Sequence, residues 1–179
     1  MNGRSRESII LGLDPGTAIT GWGVIKVGSE TKMLAFGCIE TDKNKNSVVR
    51  LKEIARDLTS LIEKYQPDEV AVEDLFFFKN LKTAIKVAQA RGVLLVTSAN
   101  AGLPVFEYTP LQVKQALTGY GRAEKQQIQW MVKEVLRLKQ APKPDDAADA
   151  LAVAICHEQS RKIRSEEHTS ELQSRQVIS

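Results

Sequence analysis

The sequence predicts an α/β fold: a mixed five-stranded sheet, its first three strands antiparallel, flanked by helices. Three observations carry this expectation. Three strand-like runs stand close together near the N-terminus, separated by short turn segments. Two further short apolar runs, at 69–73 and 105–108, each follow a long stretch with apolar residues at helical spacing. The last third of the chain carries helical periodicity alone. The resulting order, βββαβαβααα, is an antiparallel meander feeding α/β units, and such units bury their apolar faces by laying helices on a sheet.

Ser8–Leu13 reads as a buried strand because its apolar residues run almost without interruption. Trp22–Val27 and Lys32–Glu40 read as strands joined by a Gly28-Ser29 turn. After the polar loop TDKNKNS, the residues Val48, Leu51, Ile54, Ala55, Leu58, Leu61, Ile62 and Tyr65 recur on one helical face. Ser47 is the expected N-cap of that helix and Pro67 its stop. Glu69–Glu73 is the fourth strand. Leu81, Ala84, Ile85, Ala88 and Ala90 mark a helix from Asn80 to about Ala101. Val105–Tyr108 is the fifth strand. Thr109-Pro110 then supplies an N-cap with proline at the first helical position, and Gly119-Tyr120-Gly121 closes the helix. A fourth helix covers Ala123–Leu138, and a last one runs from Asp145 to Ser160.

A chain of 179 residues is one domain with a sizeable core. No apolar run approaches the length of a membrane span. The first residues, MNGRSRES, lack the apolar segment of a secretory signal, so a cytoplasmic location is expected. Cys38 and Cys156 are isolated, which fits two reduced thiols better than a disulfide or zinc framework. Residues 165–179 hold three acids and one base, leaving 24 bases against 19 acids, or +5, in residues 1–164. That excess suits a polyanionic partner. The final stretch, RSEEHTSELQSRQVIS, is polar and aperiodic, and it resembles the translation of a sequencing adaptor. Residues 1–163 are therefore read as the domain and 164–179 as a non-native, disordered tail.

Asp14 leaves the first strand into Pro15-Gly16. An Asp-Pro-Gly turn explains itself structurally, because Asp caps its own turn and Gly accepts positive φ. It also fits a metal ligand at a strand end or the phosphate loop of an actin-like ATPase, though such an ATPase needs two lobes and this chain has length for one. Three other acids stand out. Glu73 ends the fourth strand, framed by Val70 and Val72. Asp146 and Asp149, at i and i+3 in DDAADALAVAI, share one face of the last helix. Acids at a helix start are ordinary, since the dipole favours them, and Asp145 reads as such a capping residue. The conjunction is what points to chemistry. Oxygen ligands suit Mg²⁺, and two such ions can activate water and stabilise a leaving oxygen. Four clustered carboxylates repel one another unless cations neutralise them.

Other residues near these acids have ordinary and functional readings side by side. Phe76, Phe77 and Phe78 follow Glu73, and three consecutive rings cannot all point inward. One exposed ring beside these acids could stack on an unpaired base. Helical lysines are usually solvated, but a point charge also binds phosphate oxygens.

In LGLDPGTAITGWGVI, AVEDLFFFKN, AQARGV, PVFEYTPLQVKQ, GYGRAEKQQIQ and DDAADALAVAI the chain resembles the RuvC family of crossover-junction endodeoxyribonucleases, over about residues 8–160. The resemblance implies a ribonuclease H-like fold and a homodimer that cuts opposed strands of a four-way DNA junction in recombination and repair. It implies Asp14, Glu73, Asp146 and Asp149 as catalytic metal ligands for two Mg²⁺ ions, with Mn²⁺ able to substitute. It further implies Phe76 as the aromatic at the junction centre, Lys114 and Lys125 near the scissile phosphate, and Lys82 and Arg122 as further backbone contacts. The helix from Asn80 gains a dimer interface, and the RuvA–RuvB branch-migration complex becomes an expected partner. Two alternatives stay open: a YqgF-like nuclease acting on RNA, which shares the Asp-Pro-Gly strand, and an inactive junction-binding module. Retention of all four carboxylates argues against the second.

Overall fold

The computed structural model describes residues 7–75 and 80–177, with side chains described through Glu166. Phe76, Phe77, Phe78 and Lys79 lie outside the described residues, and with them the role expected of Phe76. The elements are β1 (Ser8–Asp14), β2 (Ile19–Val27), β3 (Lys32–Glu40), α1 (Ser47–Tyr65), β4 (Glu69–Glu73), α2 (Leu81–Asn100), β5 (Val105–Tyr108), α3 (Pro110–Thr118), α4 (Lys125–Val135) and α5 (Asp145–Val177). The sheet order is β3-β2-β1-β4-β5. β1, β2 and β3 form the antiparallel meander, while β1–β4 and β4–β5 are parallel.

The two faces of the sheet make two cores. Leu11, Leu13, Val24, Val70 and Val72 point to one side and meet Ile54, Leu58 and Ile62 of α1 and Ala90 and Leu94 of α2. Ile10, Ile25 and Ala71 point to the other and meet α5, with Val113, Leu117, Ile128 and Val132 of α3 and α4 packed in the same cluster. This placement explains why α5 is apolar all round from Ala150 to Cys156: every one of those residues is buried, because the helix is covered on both sides. His157 is fully buried in the same helix; its Nδ1 lies 2.7 Å from the Tyr108 hydroxyl and its Nε2 2.7 Å from Glu69 Oε2.

Several boundaries differ from the sequence reading, each for a local reason. β2 starts at Ile19 rather than Trp22, because Ile19 and Thr20 pair with Glu40 and Ile39 of β3 and Gly21 pairs with Asp14 of β1. The N-cap of α1 is Asn46, whose side chain accepts from the Val49 N–H at 2.9 Å, not Ser47. α4 spans only Lys125–Val135; Glu124 and Gln127 form its capping box. The largest correction concerns the end of the chain. α5 does not stop at Ser160, and residues 164–177 are helical rather than disordered. No Gly or Pro interrupts 145–177. A helix already nucleated by packing extends through Glu, Leu, Gln and Arg without a second nucleation cost.

Candidate active site

The candidate site is built at the C-terminal ends of two parallel neighbours. The β1–β4 register runs to Leu13 opposite Val72, so Asp14 and Glu73 are the next residues on adjacent strands. By strand alternation both point to the α5 side, two residues beyond Gly12 and Ala71 respectively. Strand ends of this kind, where chain connections diverge, are where open α/β sheets leave a crevice.

The start of α5 closes over this crevice because the residues beneath it are small. A Cβ added at Gly21 would stand 2.0 Å from the Asp146 carbonyl oxygen, and one at Gly12 would stand 2.2 Å from that of Ala150. Ala147, Ala148 and Ala150 are each 0 % exposed. Glycine under alanine thus lets the helix approach β1 and β2 more closely than any larger pair would permit, which carries Asp146 and Asp149 to the sheet acids.

The electrostatics follow from that crowding. The Asp14 carboxyl is held well above its usual range by burial first, then by the neighbouring Glu73, Asp149 and Asp146. Glu73 is also raised, chiefly by burial, although Asp14, Lys114 and Lys125 pull it back. Asp149 is raised by burial, with Lys125 opposing. Lys125 Nζ lies 3.3 Å from Asp149 Oδ2 and 3.5 Å from Asp145 Oδ2. Burial works against its ammonium, but Asp149 and Asp145 outweigh that and the net shift is upward. Asp145 turns outward to Lys143 at 3.0 Å, and that bond holds its carboxyl below the usual value.

Of the residues singled out from sequence, the structure brings Asp14, Glu73 and Asp146 to the wall of one cleft, and Glu73, Asp149, Lys114 and Lys125 to an adjoining one. Lys82 sits exposed in the first turn of α2, and Arg122 is exposed between α3 and α4; neither lines these clefts. The donors are all hard oxygens, as Mg²⁺ requires. Among the described residues, no three His, Cys, Asp or Glu side chains form a ready-made ion cage. Mg²⁺ does not need one, since it binds through one or two carboxylates, retained waters and substrate phosphate. Cys38 does not compete: burial and then Asp146 push its thiol to about 11, so it stays protonated.

Two contributors carried no sequence signal of their own. Arg91 of α2 contacts Asp74 at 3.0 Å and also Glu107, tying the residue after Glu73 to α2 and β5. The glycines at 12 and 21 read as ordinary strand residues until the α5 backbone is seen above them.

Comparison with known proteins identifies the family. The sequence model of the family "Crossover junction endodeoxyribonuclease RuvC" matches residues 10–157. The RuvC of Desulforamulus reducens is 59% identical over 152 residues, covering 84% of this chain and 93% of its own. That of Syntrophomonas wolfei is 55% identical over 157 residues, covering 87% and 91%. The structure of Thermus thermophilus RuvC in complex with a Holliday junction substrate superposes with a TM-score of 0.83 at 37% identity, covering 87% of this chain and 96% of that one. The fold, the convergence of acids at its sheet ends and these matches lead to one conclusion: the chain belongs to the RuvC family of crossover junction endodeoxyribonucleases.

Proposed function

We propose that this chain is a metal-dependent endonuclease that resolves four-way DNA junctions, two copies cutting opposed strands. The observation that carries the proposal is the meeting of Asp14 and Glu73 at adjacent parallel strand ends, with Asp149 and Lys125 brought over them by α5 and α4. Asp14, Glu73, Asp146 and Asp149 would hold two Mg²⁺ ions, or Mn²⁺ in their place. Bound there, the ions would supply charge to activate a water and to stabilise the leaving 3′ oxygen. Ion binding would favour the ionised forms of Asp14 and Glu73, against the burial that raises both carboxyls. Lys114 and Lys125, lining the same cleft as Glu73, orient the scissile phosphate as point charges. Lys82 and Arg122 contact the backbone farther from the cut, and Phe76 stacks on a base at the junction centre.

Paired cleavage needs two sites, which supports a homodimer. α2 presents Leu81 (75 % exposed), Ile85 (51 %) and Val96 (54 %) to the outside, an apolar stripe suited to a second copy. The RuvA–RuvB branch-migration complex is the proposed partner upstream of cleavage, and the cytoplasm the proposed location. Among the described residues no helix is long and apolar enough to cross a membrane. The decisive experiment compares labelled four-way junction with linear duplex of the same sequence, with and without Mg²⁺. Symmetric cuts in the junction alone, dependent on the metal, are expected. Cleavage of both substrates alike, or cleavage in excess chelator, would overturn the proposal.

A further inference from the structure

On the other side of the Asp14 turn lies a basic pocket of about 430 Å³, lined by Lys43, Arg50 and Lys86 together with Thr17 and Thr83, and by no carboxylate. Gly16, Ile19 and Val87 line both this pocket and the acidic cleft of Asp14, Glu73 and Asp146, so the two share a wall.

Two features of the pocket call for an anion. Arg50 is only 8 % exposed, yet among the described residues neither it nor Lys43 or Lys86 has a carboxylate partner. Arginine is rarely buried without a counter-charge, because its desolvation is then uncompensated. The Thr17 hydroxyl is likewise buried with no hydrogen-bond partner. The pocket is also rigidly built. Arg50 Nε donates to Thr41 Oγ1 at 2.9 Å, and the Thr41 hydroxyl donates to the Thr17 carbonyl. The Thr41 N–H bonds the Ala18 carbonyl at 3.0 Å. The guanidinium is therefore fixed against the turn that follows Asp14, with its terminal N–H groups as the fork that fits two phosphate oxygens.

Resting on the nuclease reading above, we infer that this pocket binds a backbone phosphate of the DNA strand whose neighbouring phosphodiester lies in the acidic cleft. Arg50 and the Thr17 hydroxyl grip the phosphate from within, and the exposed Lys43 and Lys86 approach it from the rim. Through Thr41 and Thr17, an occupied pocket braces the turn carrying Asp14, so strand position and site geometry are set together.

The test is the salt dependence of junction binding, read by anisotropy of a labelled four-way junction in Ca²⁺. Lys43→Gln/Lys86→Gln changes two exposed residues, and Lys52→Gln/Lys64→Gln on α1 removes the same charge elsewhere. The slope of log affinity against log salt is expected to fall by about one for each lost phosphate contact in the pocket variant and to stay put in the control. Arg50→Lys keeps the charge but loses the fork and the Nε bond to Thr41, so its binding, measured well below its own melting temperature, should be weaker than that of the wild type. Equal slopes in pocket variant and control overturn the inference. So does stabilisation of the wild type by inorganic phosphate, lost in Arg50→Lys, without any change in junction slope, since that marks a free-anion site. Failure of the wild type to bind or cut junctions would instead refute the nuclease reading itself.

Discussion

Replacing Gly21 by alanine tests whether the closeness of α5 to the sheet is what assembles the site. The new Cβ would lie 2.0 Å from the Asp146 carbonyl oxygen and 2.4 Å from its carbon, where ordinary contact begins at 3.4 Å. The start of α5 must therefore retreat by about 1.4 Å, and neither contacting atom is the flexible end of a side chain. A misplacement of about 1 Å costs on the order of 10²-fold in rate when reacting groups depend on alignment. Overpacking of this kind costs about 1–3 kcal/mol of stability. In a domain of this size each kcal/mol lowers Tm by about 2–4 °C, so the variant remains folded at assay temperature unless the starting stability is small. Gly37→Ala is the matched control. Its Cβ would meet the Trp22 ring at 2.8 Å on the α1 side of the sheet, away from Asp146. Single-turnover cleavage of a labelled junction in Mg²⁺, measured beside Tm, should show a rate loss of about 100-fold for Gly21→Ala and little for Gly37→Ala. Wild-type rates in Gly21→Ala, or equal losses in both variants, would refute the reasoning.

The carboxylate assignment predicts that Asp14→Asn, Glu73→Gln, Asp146→Asn and Asp149→Asn each abolish cleavage while junction binding in gel shift persists; two variants that still cut would sink it. The pH dependence has a definite sign. Burial and neighbouring acids raise Asp14 in the folded protein, so without metal its contribution is fully present below about pH 4, the unfolded value, and is lost as pH rises through the folded one. The Tm of Asp14→Asn relative to wild type should thus climb with pH in chelator, and a constant difference would contradict it. Protons compete with the metal for these raised carboxyls, so the Mg²⁺ concentration needed for half-maximal wild-type cleavage should rise on acidification, and a pH-independent requirement would contradict the assignment. A chain ending at Ile163 loses the Arg164 contact to the Phe106 ring, 5.1 Å to its centroid. That contact contributes about 0.5–1 kcal/mol, so Tm should fall by only a few degrees and cleavage should persist. A collapse of either would show that residues 164–179 belong to the working domain.

Much of this was legible along the chain. The three N-terminal strands, the helix over 47–65 and the Pro110 helix start depend on alternation, helical period and capping, all decided within a turn or two of sequence. The acids were legible as types and positions: Asp14 and Glu73 at strand ends, Asp146 and Asp149 on one helical face. The end of α5 was not. The polarity of residues 164–177 argues for disorder when read alone, but the helix arriving from Ala147–Cys156 is already nucleated by burial on both sides.

What only the tertiary structure decided is who meets whom. The order β3-β2-β1-β4-β5 makes Asp14 and Glu73 neighbours, and no local property of either segment states that β4 lies beside β1. Gly12 and Gly21 have no sequence mark separating them from other strand glycines; the α5 backbone above them gives them their role. Arg50 reads as one more helical cation, and only the fold buries it, uncompensated, beside the Asp14 turn. Period and capping are contests between a residue and its chain neighbours, whereas strand order and helix approach are settled by the volume and polarity of the whole packed core. The acids are therefore visible in sequence as candidates, and their proximity, which raises Asp14 and makes the site, exists only once both cores have closed.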